Sequence, residues 1–314
     1  MLSSIMPQPK SSRRRLVHPG PASPERIESR KGEATALAFV LEPGLTINEA
    51  ITRPLLEAGM RGGLVEIEGG ALGPFTYVVP AVSPDEDHVA FFSRPYVIDG
   101  LTRIERASIS VGWRENAPFI HCHGLWIEPD GSRRGGHMMP FETVIAEPVQ
   151  ARAWGLKNAT YLAEHDPETN FTLFRPVDEP TPQLSVGKSK EKPPGILARI
   201  RPNEDICEAV ETLCRQHGIG SAVVRGVGSL VGAEFEDGRT VSSHATEVLI
   251  TQGSVQLGHD GVPVASLEVA MVDIYGEIHE GRLIRGRNST CITFETYLEE
   301  VSTGGVSGEA LASC

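Results

Sequence analysis

The 314-residue sequence has no uninterrupted apolar run that approaches the roughly 18 residues a membrane-spanning helix needs, which excludes a helical span. It also lacks any Cys-x-x-Cys pair. Cys122, Cys207, Cys214, Cys291 and Cys314 are scattered and odd in number, so free thiols in a reducing cytoplasm are expected in place of a disulfide framework. Residues 1–32 carry the basic cluster Arg13-Arg14-Arg15 without the continuous apolar segment that follows such charges in a secretory signal. This stretch reads as a disordered tail. Positive charge is short overall: 29 Lys and Arg against 41 Asp and Glu give a formal net charge of -12. A protein that holds duplex DNA by neutralising phosphates normally shows the reverse balance, so DNA is not expected as the main ligand.

What is present is a globular composition, 40% apolar and 22% charged. The length exceeds that of one ordinary domain and points to two. Self-similarity supports that division. Ala36 to Pro43 reads as a strand ending at proline, followed by helical spacing through Ile47, Ala50, Ile51 and Leu55 toward Gly59. Gly195 to Pro202 does the same, followed by Ile206, Ala209, Val210 and Leu213 toward Gly218. After each helix come an apolar strand and a small-residue turn, Leu64 to Leu72 in one copy and Ala222 to Leu230 in the other. The glycines there, including Gly226 and Gly228, suit tight turns or close backbone packing better than a phosphate loop, because no convincing helix follows. The remainder of each half reads as short strands of a mainly antiparallel sheet, with His88 to Phe92 among them. Proline- and lysine-rich residues 176–194 read as a linker. The expected organisation is therefore a tail at 1–32, a first domain at 33–175, the linker at 176–194, a second domain at 195–302 and a short tail at 303–314.

The chemistry concentrates in the first half. Phe119-Ile-His121-Cys-His123 reads as a strand, whose period of two puts both imidazoles on one face and Cys122 on the other. A turn at Pro129 to Ser132 then leads to Gly135-Gly136-His137, so the next strand can return His137 beside the pair. Three histidines with an open fourth position suit zinc or another first-row divalent ion that binds water or substrate. The second half supplies a control. Aligning Gly281-Arg282 with Gly136-His137 sets Arg282 where His137 stands, and Ser266 and Glu268 opposite His121 and His123. No metal is expected at that place.

These motifs, His121-x-His123, Gly135-Gly136-His137, Gly226-x-Gly228-Ser-Leu and the strand–Pro–helix opening of each half, resemble the PPC domain, named for plants and prokaryotes. The resemblance implies an α+β fold, two tandem domains each with a mainly antiparallel sheet and one principal helix. It also implies trimeric assembly and a metal site at the histidine triad. Plant members carry Arg-Gly-Arg-Pro hooks and regulate DNA; no such hook occurs here, and Arg13 to Pro21 is only superficially similar.

Two functions follow as expectations. One is a zinc-type enzyme acting on a small polar or carboxylated molecule by hydrolysis, hydration or lyase chemistry. Glu142, Glu66 and Glu68 are its candidate acids and bases, and Arg133 and Arg134 its candidate substrate clamps. The alternative is a DNA-binding regulatory protein. Trp113 and Trp126 flank the histidine strand as candidate pocket walls, with core packing as the plainer role.

Overall fold

The computed structural model describes residues 14–179 and 193–301. In the first half, β1 (Ile27–Leu41) leads to helix α1 (Ile47–Glu57) and β2 (Gly63–Glu68). The short strands β3 (Ala71–Leu72), β4 (Phe75–Val78), β5 (Pro80–Ala81), β6 (Phe91–Phe92) and β7 (Tyr96–Ile98) follow. Then come β8 (Thr102–Arg114), β9 (Ala117–Ile127), β10 (Arg133–Met138), β11 (Ile145–Glu147) and β12 (Val149–Leu156), and the hairpin β13 (Ala159–His165) with β14 (Thr172–Asp178). The second half holds β15 (Pro194–Ile200), α2 (Ile206–His217), β16 (Ala222–Leu230), the short β17 (Ala233–Glu234) and β18 (Thr240–Val241), and β19 (Thr246–Leu257). It ends with β20 (Pro263–Asp273), β21 (Ile278–Arg282) and β22 (Thr290–Glu300).

Each half opens as its sequence dictates. Thr46 caps α1 by accepting from the Glu49 N–H at 3.2 Å, and Asp205 caps α2 by accepting from the Glu208 N–H at 3.0 Å. Helix α2 stops at Gly218, whose left-handed backbone closes its last turn. Both helices turn an apolar stripe inward, Ile47, Ile51 and Leu55 in one and Ile206, Val210 and Leu213 in the other.

The expected α+β class is corrected by the structure. Among the described residues strands hold 56% and helices 8%, so the architecture is mainly antiparallel β. The physical reason lies in the alternating segments, which extend into ladders of 11 to 15 residues, while the two helices stop after 11 and 12. Residues Thr246 to Leu257, for instance, form one continuous strand. His88 to Phe92, in contrast, is strand only at Phe91–Phe92.

The repeat is visible in the strand order. In the first half the ladder runs β1-β12-β2-β8-β9-β10, antiparallel at every step. In the second it runs β15-β22-β16-β19-β20-β21, again antiparallel throughout. One strand joins them: Ala34 to Leu41 of β1 pair with β12, whereas Ile27 to Glu33 pair with β15. The tail expected over 1–32 is corrected accordingly, because its last six residues are strand and Leu16 exchanges backbone hydrogen bonds with the Asn203 side chain. Residues 1–13, most of the 176–194 linker and the tail at 303–314 lie outside the described residues, although β14 runs on to Asp178.

The halves also share apolar cores. Leu249, Ala270 and Val272 of the second half pack into the first half's main cluster, and Leu197, Val227 and Tyr297 join Leu64, Tyr161 and Phe174. The Tyr161 hydroxyl spans the seam within 3.0 Å of the carbonyls of Ala198 and Thr296, satisfying its polar end inside the apolar layer. This packing brings β9 and β10 of one half against β19 and β22 of the other.

Candidate metal centre

Strand β9 alternates as expected: Cys122 is fully buried in the first core, and His121 and His123 face away from it toward the second half. Strand β10 pairs His137 directly with His123. The three ring centroids lie 4.5, 5.1 and 5.3 Å apart. Two glycines make room for this. At Gly136 (φ +150°) a Cβ would fall 2.5 Å from the Val78 carbonyl oxygen, and at Gly135 one would fall 2.7 Å from the Val272 side chain across the seam.

The second half completes the cluster with two residues that sequence reasoning missed, Glu247 on β19 and Glu295 on β22. A carboxylate oxygen of Glu247 touches His123 Nε2, and donor atoms of His121, His123, His137 and Glu247 all lie within 4.8 Å of one another. Glu295 accepts from His121 Nδ1 at 2.5 Å and is steadied by the hydroxyls of Ser110 and Thr293, each at 3.4 Å. His123 Nδ1 donates to the Val248 carbonyl at 3.0 Å. With both Nδ1 atoms committed as donors, the Nε2 atoms of His121 and His123 meet 3.0 Å apart.

Burial and charge act together on these groups. Burial and the neighbouring His121 and His123 hold the His137 imidazole well below its ordinary pKa of 6.5, so it is neutral at pH 7. Burial pushes His121 the same way, but Glu295 and Glu247 outweigh it and raise its pKa. Burial would protonate Glu247; the histidines, His123 foremost, overcome that and bring it to about 2.

A divalent cation fits this donor set. Bonds of about 2.1 Å subtending 90–109° place ligand nitrogens roughly 3.0–3.4 Å apart, which the His121 and His123 pair satisfies. The Nδ1 atom of His137 is buried without a hydrogen-bond partner, a cost that a cation in reach would offset. The Glu295–His121 and Val248–His123 bonds are the outer contacts that orient ligating imidazoles. Three imidazoles and one carboxylate suit zinc and several other first-row ions. With Glu247 as a ligand, only a five- or six-coordinate ion keeps a position open.

The cluster forms the floor of a cavity of about 470 Å³ lined by both halves. Glu142 lies on its wall, exposed. The other sequence candidates do not line it. Glu66 faces Arg225 at 3.5 Å, Glu68 is exposed on β2, and Arg133 is engaged by Glu280 and Glu105 at 2.8 to 3.1 Å. Arg134 is exposed beside Arg133 on β10. Trp126 is fully buried in the core, and Trp113 donates to the Arg61 carbonyl; neither walls the cavity. Gly226 and Gly228 sit within β16, not in a turn, where a Cβ would fall 2.7 and 2.4 Å from the carbonyls of Glu295 and Thr293. They allow the close approach of the strand that carries Glu295. Cys122, Cys207, Cys214 and Cys291 are free and buried, and Cys314 lies outside the described residues. Among the described residues no helix is long and apolar enough to cross a membrane.

Two antiparallel six-stranded ladders with a His/Glu cluster at their seam define the architecture. The family model of the Plants and Prokaryotes Conserved (PCC) domain matches residues 188–302, the part of the chain that holds the second ladder, and it is the family that the sequence resembled. Among solved structures, a plant- and prokaryote-conserved protein from Pyrococcus horikoshii is similar at 14% identity and TM-score 0.38, covering 46% of this chain and 94% of its own. A metal-containing protein from Archaeoglobus fulgidus is similar at 19% identity and TM-score 0.36, covering 47% of this chain and 96% of its own. A candidate DNA-binding protein from Bacteroides thetaiotaomicron is similar at 13% identity and TM-score 0.34, covering 48% and 96%. No curated protein matches the chain.

Proposed function

We propose that the protein is a metal-dependent enzyme acting on a small carboxylated molecule by hydrolysis, hydration or lyase chemistry, with zinc or another first-row divalent ion held by His121, His123, His137 and Glu247. The observation that carries this reading is the convergence of those four donors within 4.8 Å at the floor of a cavity. A bound ion would polarise a substrate carbonyl and lower the pKa of a water molecule beside it. The chain's own groups supply the rest. Glu295 and the Val248 carbonyl fix which imidazole nitrogens face the floor, and the apolar wall excludes bulk water and strengthens the local field. Glu142, on the wall and in contact with solvent, is positioned to exchange a proton between substrate and water.

The DNA-binding alternative meets the net charge of -12, which opposes phosphate binding. Elemental analysis of the purified protein beside a His121→Ala variant tests the metal reading. About one ion per chain is expected in the parent and a marked loss in the variant. Equal metal content in both samples, or none in the parent, sinks it.

A further inference from the structure

We infer that the substrate is an aromatic carboxylic acid, its ring held between phenylalanine walls, its carboxylate at Arg114 and its reacting group at the histidine floor. This deepens the metal-enzyme reading and rests on it for the identity of the reacting end. Six phenylalanines line the cavity, Phe91, Phe92, Phe119, Phe141, Phe171 and Phe174, of the ten in the whole sequence. They form two runs. In one, the Phe119 ring lies 6.0 Å from both Phe141 and Phe174, and the Arg114 guanidinium sits 5.4 Å over the same Phe119 ring. In the other, Phe171 lies 6.1 Å from Phe91, Phe91 lies 6.2 Å from Phe92, and Phe92 lies 5.1 Å from the His137 ring.

One run therefore carries a cation over its central ring, and the other ends at the histidines. Ring spacings of about 4.5–7 Å are those of favourable edge and offset contacts, so a planar ring entering between the runs extends an existing arrangement. Phe91, Phe92 and Phe141 remain 41, 38 and 55% exposed, apolar surface that such an occupant would cover. Among the described residues lining the cavity, Arg114 is the one arginine or lysine, and its ion-pair contact is with the exposed neighbour Glu115 at 3.8 Å. That loose pairing leaves its planar fork available for a carboxylate. The volume, about 470 Å³, lies within the range of roughly 300–1,000 Å³ typical of small-molecule sites.

Calorimetric titration of the full-length protein, as purified, with cinnamate, cinnamyl alcohol and acetate tests the assignment, and metal content is measured on the same samples. Cinnamate is expected to bind at least about tenfold more tightly than either control. Arg114→Gln, on the exposed rim, should abolish the advantage over the alcohol, and Phe119→Leu should weaken cinnamate and alcohol alike, with metal content unchanged in both. Absence of cinnamate binding, or equal affinity in the parent and Arg114→Gln, overturns the inference even where the metal is present. Tight, Arg114-dependent cinnamate binding without metal supports the aromatic-acid site and rejects the metal-enzyme reading instead.

Discussion

The row of side chains across β9 and β10 and its counterpart across β20 and β21 occupy the same place in two copies of one ladder, yet they do opposite things. In the first copy His123 pairs with His137; in the second Glu268 pairs with Arg282 and closes an ion pair at 2.7 Å. The first row lies at the seam and is covered by the other half, whereas the second row is largely exposed, with Arg282 at 48% and Glu268 at 39%. The same backbone thus carries imidazoles where a partner sheet covers it and a solvated salt bridge where none does. The two ladders present equivalent rows, and the way they pack covers one of them and leaves the other in solvent.

The opening strands show the same asymmetry, and breaking it has the largest expected effect on stability. Counting back from Pro43 and Pro202 places Val40 opposite Arg199 and Glu42 opposite Arg201. Val40 is 44% exposed, but Arg199 and Arg201 are buried against the first half's Asp166 at 2.6 and 2.7 Å, with Glu28 and Glu168 alongside. Asp166→Ala would leave two buried guanidiniums without their shared partner, and a loss of about 3–5 kcal/mol in denaturant unfolding is expected. The pH dependence follows from the same contacts. Burial raises the Asp166 pKa, but the two arginines outweigh it and lower it from 3.8 to about 2. Because the folded value is depressed, this contribution is complete above about pH 4 and is lost as pH falls from about 4 to 2, a difference of roughly 2 kcal/mol. Parent and variant stability curves that run parallel across that interval would contradict the assignment.

A smaller effect sharpens the comparison at the seam. Glu295→Gln retains shape but removes the charge that orients His121, so metal affinity should fall about 10- to 100-fold, with the fold intact by circular dichroism. Unchanged affinity would mean that Glu295 does not orient His121, leaving Glu247 as the second half's contribution to the centre. Smallest of all, Arg282→Ala removes an exposed pair and should cost no more than about 1 kcal/mol, with metal content unaltered. A loss of metal in that variant would show that the two rows are not separate.

Local regularities were legible in the sequence. The two-residue period placed His121 and His123 together and Cys122 opposite, and the glycine pair before His137 marked the strand that returns beside them. The alignment of Arg282 with His137 and Glu268 with His123 follows the register that the strands adopt. The fold class was not read correctly, because the helical spacings from Ile47 toward Gly59 and from Ile206 toward Gly218 drew attention to elements that are a small part of the described residues. Glu66, Glu68, Arg133 and Arg134 were chosen by nearness along the chain, and their side chains meet Arg225, solvent, or Glu280 and Glu105 instead of the cluster. Glu247 and Glu295 lie 124 and 172 positions beyond His123, so no local pattern links them to it. One signal was available: an acid in the otherwise uncharged run Cys291 to Tyr297 is costly to bury unless paired, and its alternation puts it on the face that meets the other half.

Strand β1 gives fifteen residues to two ladders, and that fixes the order in which the molecule can be finished. Both of its partner edges follow it along the chain, β12 first and β15 only with the later half. His121 meets Glu295 only after 174 further residues have been made. A chain terminated before Glu247 would therefore display its imidazoles without their acidic companions, so an intact centre certifies that synthesis has passed Glu295.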